Sequence, residues 1–220
     1  MYNQEQQSII DEIRANDWWI MTNREGVDYW KEPLEEDENP DEIIFLCLSH
    51  RREINDKWLE KIGKLTDLRS LHLDATSITD EGIEHLSSLK KLVHLNLRQT
   101  NITDRAIKTI ASFKDLKSLW LNTTKVKGTT LNQLSRLEKL TSLFLGETYI
   151  NDKTLKSLST MKSLEDLSLH DTNISTASVP LFQQLPKLRV LDLTNTYFTE
   201  ANVEALQQHR PDLHIDIIDW

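Results

Sequence analysis

The pattern LxxLxL recurs at Leu68, Leu92, Leu116, Leu140, Leu164 and Leu188, each start 24 residues after the last. Its second and third leucines stand two residues apart, so both point to one face of an extended strand and the residue between them points to the other. Later in each unit the apolar period lengthens to three, as at Ile83, Leu86 and Leu89, which marks one stripe of a short helix. A further unit, IIFLCLSHRREINDKWLEKIGKL, precedes these six with one extra residue between Leu48 and Ile54, and a partial strand, LHIDIIDW, follows them. The pattern predicts seven strand-and-helix repeats plus a terminal strand over residues 43–220, each repeat burying its apolar face against its neighbours.

The turn into each helix has a local cause. Ile78 precedes a capping Thr79, and Ile83 follows that cap by four residues, the pairing of a hydrophobic staple. Equivalent pairs run from Ile54/Leu59 to Phe198/Val203. Lys127-Gly128 supplies no good cap, and Pro180 sits too deep for a helix that starts at Ser175, so those two convex segments should start late or stay irregular. A threonine ends the bend of each of the six 24-residue units (Thr76, Thr100, Thr124, Thr148, Thr172 and Thr196), and its hydroxyl is expected to bond backbone groups of the adjacent repeat.

The LxxLxLxxTxI unit resembles the leucine-rich-repeat family over about residues 43–220, with threonine where many members carry asparagine or cysteine. The run Ile78-Thr79-Asp80, repeated at Ile102-Thr103-Asp104, is similar to the ribonuclease-inhibitor-like and F-box-associated branches. The resemblance implies an α/β solenoid, with a curved parallel sheet on the concave face and short helices on the convex face. It permits an inhibitor or immunity-type protein that neutralises an enzyme.

Charge divides the chain. Residues 1–42 hold 13 Asp or Glu against three Lys or Arg, a balance of -10 within a net charge of -9, so the body stands at +1 and is close to neutral. Without a basic surplus, nucleic acid is not an expected partner. Ile9, Ile10 and Ile13 fall at helical spacing, and WWIMT and VDYW around NREG read as a hairpin. This leader is expected to cap the first repeat with Trp18, Trp19 and Trp30, residues 32–42 forming a solvated linker; the other reading makes it an acidic docking element of an adaptor. No apolar run approaches the ~20 residues of a spanning helix, so a membrane is not expected as a partner. The opening residues lack the marks of a secretory signal, and the single cysteine, Cys47, allows no intrachain disulfide; together these predict a cytoplasmic protein. A monomer is expected rather than a homodimer paired through an edge strand.

Strands in register ~4.8 Å apart place equivalent repeat positions in rows across the concave face. The middle row reads Cys47, His72, Asn96, Trp120, Phe144, Ser168, Asp192. Trp120 and Phe144 become cross-strand neighbours at its centre. His72, His94 and Arg98 lie on one flank, and Glu147, Asp166, Asp171 and Asp192 on the other. Aromatic anchors inside a polar rim have the composition of a binding hot spot, whereas the bland reading is two aromatics covering each other. A protein partner bound here is the expected function; a small molecule or glycan stacking on the two rings is a third class. His50, His72, His94 and His170 map to this face without a metal-ligand motif, so pH-sensitive binding is expected rather than a metal site. Five glycines provide no phosphate loop, and neither GxSxG nor HExxH occurs, so no cofactor and no catalysis are expected, even from Cys47 near His50.

Overall fold

The computed structural model describes residues 2–22 and 43–217. Among them, nine strands form a single sheet in chain order. These are β1 (Trp19–Thr22), β2 (Ile43–Cys47), β3 (Ser70–His72), β4 (His94–Asn96), β5 (Ser118–Trp120), β6 (Ser142–Phe144), β7 (Asp166–Ser168), β8 (Val190–Asp192) and β9 (His214–Asp216). From β2 to β9 all pairings are parallel and the register is the predicted one: Leu71, Leu95, Leu119, Leu143, Leu167 and Leu191 pair in sequence. These leucines and their inward neighbours join one core that runs from Ile9 to Ile215.

The strands stop after three residues because the chain then bends through a left-handed residue. His50, Ala75, Gln99, Thr123, Glu147, Asp171 and Asn195 all have φ between 53° and 61°. From His50 to Asp171 each bend is tied to the next repeat by its main chain: the Ala75 N–H donates to the Arg98 carbonyl and the Gln99 N–H to the Asn122 carbonyl, both at 2.9 Å. The threonine hydroxyls therefore do something other than expected. Thr76 donates to the Leu73 carbonyl at 2.6 Å, Thr100 to Leu97 at 2.5 Å and Thr124 to Leu121 at 2.6 Å. They close the bend within their own repeat, since the left-handed residue turns the threonine back over the carbonyl three positions earlier, and the stacking bonds fall to the backbone.

The convex side carries the short helices expected of it. Short helices α2 (Asp56–Ile62), α3 (Asp80–His85), α4 (Ile107–Ile110), α5 (Asp152–Leu155), α6 (Val179–Gln184) and α7 (Glu200–His209) alternate with 3₁₀ turns. Asn55, Thr79, Asn151 and Thr199 cap their helices as the sequence predicts. After Lys127-Gly128 the segment 131–136 is 3₁₀ throughout and has no side-chain cap. Ser175 caps a 3₁₀ turn, and α6 begins only at Val179, leaving Pro180 in a first turn where its missing N–H costs nothing.

One set of bonds locks the convex side. Asp56 accepts both the N–H and the hydroxyl of Thr79, at 2.8 Å each, and Asp80 accepts those of Thr103 at 2.8 and 2.6 Å. Thus Thr79 caps its own helix and also grips the carboxylate of the preceding repeat, whereas Thr103 makes the same grip without capping α4, which starts three residues later than its sequence predicts and follows Ala106. Asp104 accepts the N–H groups of Lys127 and Gly128 instead, and Asp152 takes Ser175 and Ser178.

At the N-terminal end, α1 (Gln4–Ala15) buries Ile9, Ile10 and Ile13 in the common core, and Trp18 packs edge-on to Trp58 at 4.7 Å. β1 does pair in antiparallel fashion, but with β2, Trp19 lying opposite Cys47. The rest of the predicted hairpin, NREG and VDYW with Trp30, the linker over residues 32–42 and Trp220 lie outside the described residues. At the C-terminal end Arg210 donates to the carbonyls of Phe182, Leu185 and Leu188, finishing the turn after α6. No described helix is long and apolar enough to cross a membrane.

Candidate functional site

The three-residue strands present two outward positions each, and the bends add a third, so the rows predicted from the repeat exist as drawn. His72, Asn96, Trp120, Phe144, Ser168 and Asp192 pair along the middle row. The Trp120 and Phe144 rings stack with an interplanar angle of 2° and centroids 5.3 Å apart. Both remain partly exposed. His72 and His94 lean toward the indole, at 6.3 and 6.4 Å, across the smaller Asn96.

The aromatic run extends further than the sequence suggests. Phe45 lies 5.2 Å from the His72 ring and 5.0 Å from Trp19, and at 1% exposure it is buried although its row faces outward. Trp19 contributes from β1, a strand outside the repeat, and no periodic signal places it there. Ser70, Asn122 and Ser168 are likewise buried beneath their larger neighbours rather than offered to solvent.

The charge division differs from the expected one at two histidines. Burial pushes the His72 imidazole below its ordinary value against the opposing pull of Asp74, which leaves His72 a neutral aromatic member of the face. Asp74 accepts from Asn96 Nδ2 at 3.1 Å and stands 3.3 Å from His50 Nε2. Arg98 is exposed beyond this cluster. The imidazole whose charged form is favoured sits among the acids: His170 Nδ1 lies 3.1 Å from Asp192 Oδ2 and 2.8 Å from the Ser168 hydroxyl, with Nε2 3.7 Å from Glu147. The hydrogen bond to Asp192 raises the His170 pKa, and the same bond, with those from Thr194 and Ser168, outweighs burial and holds Asp192 well below the usual carboxylate range. Asp166 has no such help; burial first and Asp192 second push its pKa up. Glu147 and Asp171 are exposed at the left-handed bends, on the rim of the face rather than on it.

Gly146 makes the His170 position possible. The imidazole lies across it so closely that a β-carbon there would occupy the ring. The described residues contain no group of His, Cys, Asp or Glu that could hold a metal ion.

Residues 138–198 match the family model of the leucine rich repeat. Internalin C2 from Listeria monocytogenes is structurally similar, with a TM-score of 0.51 at 18% identity over 82% of this chain and 87% of that one. A leucine-rich-repeat protein of Leptospira interrogans gives a TM-score of 0.48 at 17% identity over 72% of this chain; the chain spans about half of its length, 51%. No curated protein matches the sequence. The matched segment is leucine-rich repeat, and the same 24-residue register continues on both sides of it in a chain folded as a solenoid.

Proposed function

We propose that this chain is a protein-interaction module that holds a partner protein on the concave sheet, anchored by Trp120 and Phe144. The observation that carries this reading is the parallel ring pair itself, left partly open at the centre of a polar face. Neighbouring repeats fix both backbones, so little ordering entropy opposes binding, and desolvating the two rings supplies affinity. The acids around His170 and the exposed Arg98 supply orientation more than affinity. On this reading α1 and β1 act as a cap that keeps the first repeat from exposing its core, and the partner buries ~800 Å² of this chain.

The test compares proteins retained from source-cell lysate by the wild type and by a Trp120→Ala/Phe144→Ala variant with an unchanged melting temperature. Retention of a protein by the wild type alone supports the reading, with each truncation costing about 2 kcal/mol of binding or more. A protein retained equally by both baits removes the ring pair from the interface.

A further inference from the structure

The bends between strands and convex segments carry a basic hollow away from the concave face. Lys125 and Lys127 are two residues apart on either side of the buried Val126, so both leave the chain on the outer side, and both are exposed. Main-chain bonds fix what stands beside them. The Lys125 N–H donates to the Ile102 carbonyl at 2.9 Å, and the Tyr149 N–H donates to the Val126 carbonyl at 3.0 Å. Tyr149, 61% exposed, therefore adjoins the lysines from the next repeat, and Thr103, Asp104 and Arg105 adjoin them from the previous one. Together these six residues line an open hollow of about 700 Å³.

The local acids are committed elsewhere. Asp104 turns its two carboxylate oxygens to the N–H groups of Lys127 and Gly128, at 3.0 and 2.9 Å, so it shapes the Lys127 bend. Glu81 accepts from Arg105 Nη1 at 3.0 Å, an exposed pair that a competing carboxylate can displace at little cost. Among the described residues the Lys125 and Lys127 side chains make no hydrogen bond or ion pair.

We propose that this hollow is a second docking site, which takes an acidic segment of a polypeptide: Lys125 and Lys127 receive carboxylates, and Tyr149 packs along the segment. In an extended chain, carboxylates two residues apart recur every ~7 Å, the spacing at which Lys125 and Lys127 themselves leave the backbone. A nucleic acid is the weaker candidate, because its continuous phosphate charge would extend beyond the hollow over a body that is close to neutral. A short acidic segment meets the basic groups alone.

The probe is fluorescein-labelled hexaglutamate, followed by anisotropy at low salt with the full chain. The wild type should bind it, with affinity that falls as salt rises. Lys125→Glu/Lys127→Glu should weaken binding by at least ~10-fold, and Trp120→Ala/Phe144→Ala should leave it unchanged. Lys125→Ala/Lys127→Ala serves in place of the charge reversal if that variant melts early. No binding by the wild type, or equal binding by the lysine variants, overturns the proposal. Tighter binding of a hexanucleotide than of hexaglutamate would assign the hollow to nucleic acid instead. Because neither anchor ring lines the hollow, the concave-face reading can fail without affecting this result.

Discussion

Arg210→Met removes the group that closes the C-terminal end of the solenoid while keeping a stem of similar bulk. The guanidinium reaches the carbonyls of Phe182 at 2.9 Å, Leu185 at 3.1 Å and Leu188 at 2.7 Å, and Asp212 holds the fork with two contacts of 3.0 Å. Leu185 keeps a partner after the substitution, since its carbonyl also accepts the Leu188 N–H at 3.3 Å. Two carbonyls then lose a charged donor; both bonds are part-buried, so each loss falls in the lower part of the range for an unsatisfied buried acceptor, about 1–2 kcal/mol. The exposed Asp212 contact adds little. The expected loss is about 2–4 kcal/mol, confined to the last repeats because solenoid units are coupled only to their neighbours. Amide hydrogen exchange reads this directly: protection of Leu191, Leu193 and Ile215 should fall by roughly 30- to 700-fold while Leu95 and Leu119 keep theirs. Unchanged protection at the C-terminal end, or an equal loss at Leu95, would refute the reasoning.

Three further outcomes follow from features on the other elements. Asp80→Ala should cost about 2 kcal/mol in a urea titration, because Asp80 is 5% exposed and leaves the Thr103 N–H and hydroxyl unpaired; a loss below about 0.5 kcal/mol would show that water replaces it. Gly146→Ala should displace the His170 ring and lower its titration midpoint toward the ordinary value of 6.5, followed by NMR; an unmoved midpoint would mean that the ring needs no room there. The raised His170 pKa contributes stability that is complete below 6.5 and is lost as pH rises through the higher folded value, whereas Asp192, held low, contributes above 3.8 and is lost as pH falls. The melting difference between the wild type and His170→Gln should therefore be largest between those two ordinary values and shrink toward pH ~9; a difference that grows with pH contradicts the assignment.

The parts of the molecule governed by the 24-residue spacing were legible in the sequence. The strand register, the inward leucines and the neighbouring placement of Trp120 and Phe144 depend only on counting and on the two-residue alternation of a strand. Bonds that depend on backbone conformation were not legible. The left-handed residue of each bend is variously His, Ala, Gln, Thr, Glu, Asp or Asn, so no residue preference announces it, and the threonine bonds that follow from it were misjudged. The Asp80 to Thr103 lock joins residues 23 apart whose types each have a sufficient local explanation as helix starts. Exposure on the concave face depended on which neighbour leans over which, as Trp19 over Phe45 and His170 over Gly146, and a row of letters carries no such lean.

The convex locks also bear on how such a chain can lengthen. A unit that begins at Thr79 carries both halves of the lock: a threonine that donates backward and an aspartate that accepts from the unit ahead. Copied in tandem, residues 79–102 would join themselves, the first copy's Asp80 gripping the second copy's Thr79 and the second copy's Asp80 gripping Thr103. The unit that begins at Lys127 has Gly128 where that carboxylate would stand, so its duplicate would meet its twin without a lock. The first kind of segment is a module that can be duplicated with its lock intact; a copy of the second would stack on its twin through the sheet and the core, as the unit from Asn151 already stacks on the one from Lys127.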